Sequence, residues 1–219
     1  MLFTLGHSTH DPVTFKNILQ MAELDGIIDV RSHPTSRWPW WHQTPAEGWL
    51  LRGGFTYAWF PALGGWDVRH ATLLDWAEPR GVKLQSYIKG HFPKQRIGAD
   101  ADQGYEHRPE WESKWTSQGL HDYAWYTSIE EFQKGINWLV DAFGGKGTAR
   151  VALVCSEAMW WKCHRSMIAD VLRFRGVMIQ HVMPNKRSVR ITEHDAMPRL
   201  DRYPVEVLAR WEHYARRAS

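Results

Sequence analysis

Five short apolar runs, spaced by helix-patterned sequence, leave this 219-residue chain few folds to choose from. Leu2–Leu5, Ile27–Val30, Phe55–Trp59, Val151–Val154 and Val177–Val182 have strand length and β-capable side chains. Val151–Val154 holds no polar residue, so such a strand needs cover on both faces. Between the first two runs, Asp11 offers an N-cap oxygen and Pro12 sits at the first helical position. Phe15, Ile18, Leu19 and Ala22 then fall on one helix face. Thr44-Pro45-Ala46-Glu47 and Ser128-Ile129-Glu130-Glu131 both fit capping boxes, which predicts helices over 45–52 and 129–143. Further helices are expected near 163–175 and from Pro204 to about Arg216. Strands alternating with helices predict an α/β fold. The sheet is mostly parallel with helices on both faces, a Rossmann-like or flavodoxin-like three-layer arrangement.

Residues 66–88 leave a helix or a strand open, and 90–122 are polar, charged and without period. So long a loop is foreign to a compact core, and 90–122 read as an inserted, lid-like segment. Residues 1–183, including that insertion, then form a single α/β domain, and 184–219 a basic extension with a terminal helix. The extension holds eight Lys and Arg against five acids, an excess equal to the whole chain's net +3. Its plain reading is a solvated basic helix face; nucleic acid is compatible with it. No apolar run approaches the roughly 18 residues that span a bilayer, so no membrane partner is expected. Two cysteines make no disulfide framework, and with no secretory pattern at the start a reduced, cytoplasmic compartment is expected. Oligomeric state has no signature in the sequence.

In parallel sheets ligands bind beyond the carboxyl ends of the strands. Three segments meet there. Gly6-His7-Ser8 joins the first strand to a helix; the glycine permits close backbone approach, and His7 can serve as acid, base or ligand. Asp29-Val30-Arg31 ends the second strand. Arg31 either grips an anion or forms a structural pair with Asp29, and Ser36 and Arg37 add a hydroxyl and a guanidinium nearby. Cys155-Ser156-Glu157 and Cys163-His164-Arg165 form the densest group. Glu157 is a candidate general acid, base or nucleophile, and Cys163 stands at a helix start that favours its thiolate. Cys155 can equally be a small buried hydrophobe, and Glu157 a helix cap. Gly144-Gly145-Lys146-Gly147 precedes a strand and lacks phosphate-loop spacing.

These motifs, with Pro34, Leu63-Gly64-Gly65, Ala152–Glu157, Ile168-Ala169 and His181, resemble in content and order the family called domain of unknown function 488. The resemblance covers most of residues 1–183. It implies a compact α/β domain and supplies no activity. Residues 66–122 are longer than that family suggests, and the basic tail departs from it.

The leading expectation is a hydrolase or transferase acting on a small anionic, phosphate-bearing or nucleotide-like ligand. His7, Glu157, Cys163 and His164 would be catalytic. Ser8, Arg31, Ser36, Arg37, Cys155, Arg165, Trp41 and Trp161 would bind the ligand. A first alternative is a non-catalytic nucleic-acid module using Trp stacking and basic residues. A second is a thiol- or metal-dependent enzyme using Cys155, Cys163 and His164. No cofactor is expected, and a metal is the lesser reading because paired C-x-x-C or H-E-x-x-H spacing is missing. Of fourteen tryptophans, Trp38, Trp40, Trp41, Trp160 and Trp161 border the two richest motifs. They form either a mini-core that steadies the loops or an aromatic wall for a planar ligand.

Overall fold

The computed structural model describes residues 1–65, 115, 117–145 and 147–217. The candidate elements at 66–88 and most of the inserted segment lie outside the described residues. Of that segment's end, residues 118–122 enter a helix, so here the chain is helical and not loop.

Six strands form one sheet: β1 (Leu2–Gly6), β2 (Gly26–Asp29), β3 (Thr56–Trp59), β4 (Val151–Cys155), β5 (Ile179–Pro184) and β6 (Val189–Glu193). Their order is β3-β2-β4-β1-β5-β6, parallel from β3 to β5, with β6 antiparallel at the edge. Among the described residues the helices are α1 (Pro12–Met21), α2 (Gln43–Arg52), α3 (Gln118–Tyr126), α4 (Glu130–Phe143), α5 (Arg165–Phe174) and α6 (Val205–Arg217). The expected α/β arrangement is thus present. No helix among the described residues is long and apolar enough to cross a membrane.

The strand residues alternate between two cores. Val151, Leu153 and Cys155 of β4 face one, built with α3, α4, α5 and α6. Ala152 and Val154 face the other, built with Phe15, Ile18 and Leu19 of α1 and Trp49 and Leu50 of α2. Burial on both faces is why the apolar run of β4 is uninterrupted. The connection after β1 runs through α1 on one face, and that after β4 through α5 on the other. Adjacent strands whose connections leave on opposite faces open a crevice at their carboxyl ends. The β1–β4 boundary, at the register pair Gly6–Cys155, is that crevice.

Local chemistry explains most boundaries. Asp11 caps α1, accepting from Val13 N and Thr14 N at 2.9 Å each. The other two caps differ from the sequence reading. α2 begins at Gln43, before Thr44, after a short 3-10 turn at Pro39–Trp41 within the expected loop. Ser128 does not cap α4; its hydroxyl donates to Trp125 O at 2.7 Å and closes α3 instead.

The sequence reading ended the sheet with Val177–Val182. The strand lies at Ile179–Pro184 and returns as β6, which that reading lacked. The boundary placed after residue 183 falls inside β5. Beyond it, Tyr203, Val207 and Trp211 are buried in the α3–α6 core. The Trp211 indole N–H donates to Thr127 Oγ1 at 3.0 Å.

Candidate functional site

On the α1 side of the crevice, Arg31 is held from every direction. Its Nε donates to Asp29 Oδ1 (2.8 Å) and its Nη2 to Asp29 Oδ2 (2.5 Å) and Trp41 O (2.9 Å). Nη1 donates to Thr35 O (3.1 Å) and reaches His7 Nε2 at 3.4 Å. All five guanidinium N–H groups are therefore engaged. Tyr57, on β3, donates its hydroxyl to Asp29 Oδ2 at 2.9 Å, a partner the sequence reading missed. Burial and the Asp29 charge push the Tyr57 phenol far up, so it stays a donor. The geometry is that of the structural pair and differs from an open anion site. Arg31 pins Asp29, the loop at Thr35 and the turn at Trp41 together.

His7 lies flat on Trp41, centroids 4.3 Å apart and planes at 16°. Its Nδ1 donates to Ser8 O at 3.0 Å, which leaves Nε2 as the acceptor facing Arg31. Burial and then the Arg31 charge depress His7 to about 4, so the ring is neutral at neutral pH. Trp41 is fully buried among Phe15 and Trp49, and its indole N–H donates to His10 O at 2.8 Å. As a core residue it cannot serve as an open aromatic wall, so for Trp41 the mini-core reading is the correct one. Trp38 and Trp40 stack on each other at 5.2 Å, and Arg37 lies over Trp38. Ser36 Oγ accepts from Trp38 N at 3.2 Å. Trp161 remains exposed at 43%.

Gly6 has a packing cause. A Cβ there would overlap the carbonyl oxygen of Glu157, because the loop after β4 crosses directly over the end of β1. His7 N and Ser8 N donate to Cys155 O (2.8 Å) and Ser156 O (3.0 Å), extending the β1–β4 ladder into that loop. Gly64 is similar: a Cβ would strike the backbone of Ser32. Glu157 projects into solvent, and its carboxylate accepts from Met159 N at 3.1 Å, a local loop contact that neither caps a helix nor aims the carboxylate at the crevice.

On the α5 side, Cys155 comes from the end of β4, while Cys163 and His164 immediately precede α5. Cys155 Sγ, Cys163 Sγ and a His164 ring nitrogen lie within 4.8 Å of one another. His164 Nδ1 is 3.6 Å from Cys163 Sγ and 4.0 Å from Cys155 Sγ. Its Nε2 lies 3.1 Å from Val30 O. A carbonyl can only accept, so Nε2 carries a proton, and in the neutral ring the Nδ1 lone pair faces the sulfurs. Tyr123 of α3 packs against the imidazole at 4.9 Å and anchors its hydroxyl on Leu63 O at 2.6 Å.

Arg165 is fully buried. Its Nε donates to Cys163 Sγ at 3.4 Å and its Nη2 to Glu157 O. Burial alone would raise the Cys163 thiol, but the Cys155 hydrogen bond and Arg165 outweigh it and bring it to about 6. The same hydrogen bond, followed by burial, pushes Cys155 up to about 12.

Residues 85–172 match the model of the family described as domain of unknown function DUF488. The match takes in β4, the Cys163-His164-Arg165 run and most of α5. The resemblance read from the motifs is borne out over that span. No curated protein and no solved structure matches the chain.

A second polar group lies beside the cluster and was not foreseen beyond His181. Thr4 Oγ1 meets His181 Nδ1 at 2.7 Å, His181 Nε2 meets His194 Nδ1 at 2.8 Å, and His194 Nε2 meets Asp170 Oδ1 at 2.8 Å. Asp170 also accepts from Arg199 Nε (2.8 Å) and the Tyr203 hydroxyl (2.6 Å). Asp170 accepts only, so the neutral chain donates in one direction: Thr4 to His181, His181 to His194, His194 to Asp170. Trp160 stacks on His181 at 3.7 Å and 5°, which ties the loop carrying the cluster to this network. Period and spacing carry no trace of it, since its members span positions 4 to 203.

Proposed function

We propose that the chain is an enzyme whose reacting centre is the sulfur–imidazole cluster of Cys155, Cys163 and His164. It belongs to the thiol- or metal-dependent class, catalysing hydrolysis or group transfer on a small ligand at the carboxyl edge of the sheet. The carrying observation is the convergence of two sulfurs and one imidazole nitrogen within 4.8 Å, from the end of β4 and the turn into α5, at the β1–β4 crevice. The competing anion site at Arg31 lacks comparable support, because every N–H of Arg31 already has an internal partner. Arg165 supports a negatively charged sulfur and gives the cluster its positive flank.

The test is a panel of small ester, thioester, phosphoester and N-glycoside substrates assayed with the whole chain. Turnover by wild type should fall by roughly 100-fold or more in Cys163→Ala, the scale of losing a positioned catalytic group. Glu157→Gln should stay within about 3-fold, since an exposed carboxylate bound only to its own loop lies outside such losses. Full activity of Cys163→Ala beside an inactive Glu157→Gln would return the reaction to the carboxylate.

A further inference from the structure

We propose that Cys155 Sγ, Cys163 Sγ and His164 Nδ1 hold a divalent transition-metal ion of the zinc class, with one coordination position left to water or substrate. The inference rests on the reading of the cluster as the reacting centre and adds its cofactor. Tetrahedral zinc has metal–sulfur bonds of about 2.3 Å and metal–nitrogen bonds of about 2.0–2.1 Å, so its ligand atoms stand roughly 3.5–3.8 Å apart. The His164 nitrogen stands 3.6 and 4.0 Å from the two sulfurs. The nitrogen thus stands within a few tenths of an ångström of tetrahedral spacing from each sulfur, and the two sulfurs, within 4.8 Å of each other, would close on the ion.

The surroundings are those of a ligand set. The His164 Nε2–H on the Val30 carbonyl fixes the tautomer and aims Nδ1, as the outer hydrogen bond of a metal-bound histidine does. The Arg165 Nε–H on Cys163 Sγ is the matching outer contact for a thiolate. Cys155 ends β4, and Cys163 and His164 sit between the short 3-10 turn at Trp160–Lys162 and the start of α5. Two sulfurs and an imidazole suit zinc and its neighbours and do not suit magnesium or calcium, which take oxygen. Among the described residues no fourth histidine, cysteine or carboxylate joins the three. Three protein ligands with an open position are the pattern of catalytic zinc; structural sites close with four.

The experiment uses the full chain, reduced and freed of metal with a chelator, then titrated with cobalt(II) chloride. One equivalent should bind, with the intense visible bands of four-coordinate cobalt and a near-ultraviolet sulfur-to-cobalt charge-transfer band. One equivalent of zinc should bleach both. Cys163→Ser and His164→Gln, checked for folding by circular dichroism, should each weaken cobalt binding by at least about 100-fold. His164 is only half-buried, so its variant serves if the cysteine variant fails to fold. No saturable cobalt binding, or the pale six-coordinate spectrum without charge transfer, overturns the proposal. So does an unchanged titration in both variants. Loss of turnover in Cys163→Ala without any cobalt site would sink the metal and leave the thiol reading standing. A cobalt site in a chain whose turnover ignores Cys163 would confirm the ion and remove the reacting centre.

Discussion

Asp29→Ala is expected to destabilise the chain by about 3–5 kcal/mol, the range for removing one partner of a buried ion pair. Asp29 is 1% exposed and Arg31 5%, so the guanidinium would be left charged without a counter-ion. Two guanidinium N–H groups, the Arg31 backbone N–H and the Tyr57 hydroxyl would all lose their acceptor. The cost comes from uncompensated desolvation more than from the lost attraction, since the pair as a whole stabilises little over apolar residues of the same volume. Damage should spread to the loop 32–41, because Arg31 also holds Thr35 O and Trp41 O. Urea unfolding measures it; a loss under about 1 kcal/mol would show that Arg31 finds water, and that the clamp is not closed.

Lowering the pH from 7.5 to 5.0 is expected to remove at least about 4 kcal/mol of stability, roughly 2 from each of two buried histidines, with the depressed Cys163 thiol acting in the same direction. His7 is depressed to about 4 by burial and the Arg31 charge. His181 is depressed to about 2 by burial, then by His194, Arg165 and Arg199. The unfolded chain protonates both near 6.5, whereas the folded chain keeps them neutral until far lower. Between those values the unfolded state binds more protons, so stability falls as pH falls through 6.5 and continues to fall toward the folded pKa. At pH 5.0 ordinary carboxylates remain ionised, which separates the histidine contribution from general acid unfolding. Urea midpoints at the two pH values give the answer. A flat profile would mean that both rings take up a proton in the folded state.

The parts of the fold that repeat a local rule were legible. Asp11-Pro12 followed by Phe15, Ile18 and Leu19 reads as α1, and the unbroken run at Val151 reads as a strand buried on both faces. The convergence of Gly6, Asp29 and Cys155 followed from the parallel sheet alone. What failed depended on partners far along the chain. β6 was hidden because Val189 and Ile191 alternate with charged and polar residues on a half-exposed edge, and the charges suggested a tail. Ser128 looked like a cap by spacing, yet its hydroxyl found the preceding helix. Gly6 looked like a ligand cradle, and its reason is the Glu157 carbonyl. In the cluster, the residue types were legible. The Val30 carbonyl and Tyr123, which orient the imidazole, carry no chemical signature in a sequence.

The central claim is that the His164 lone pair and two sulfurs face one point, and nitrogen-15 NMR of the His164 imidazole tests it most directly. The prediction is a neutral ring protonated at Nε2, with bare Nδ1 the nitrogen that shifts when one equivalent of zinc is added. A ring protonated at Nδ1, or a spectrum in which zinc moves neither nitrogen, would contradict it.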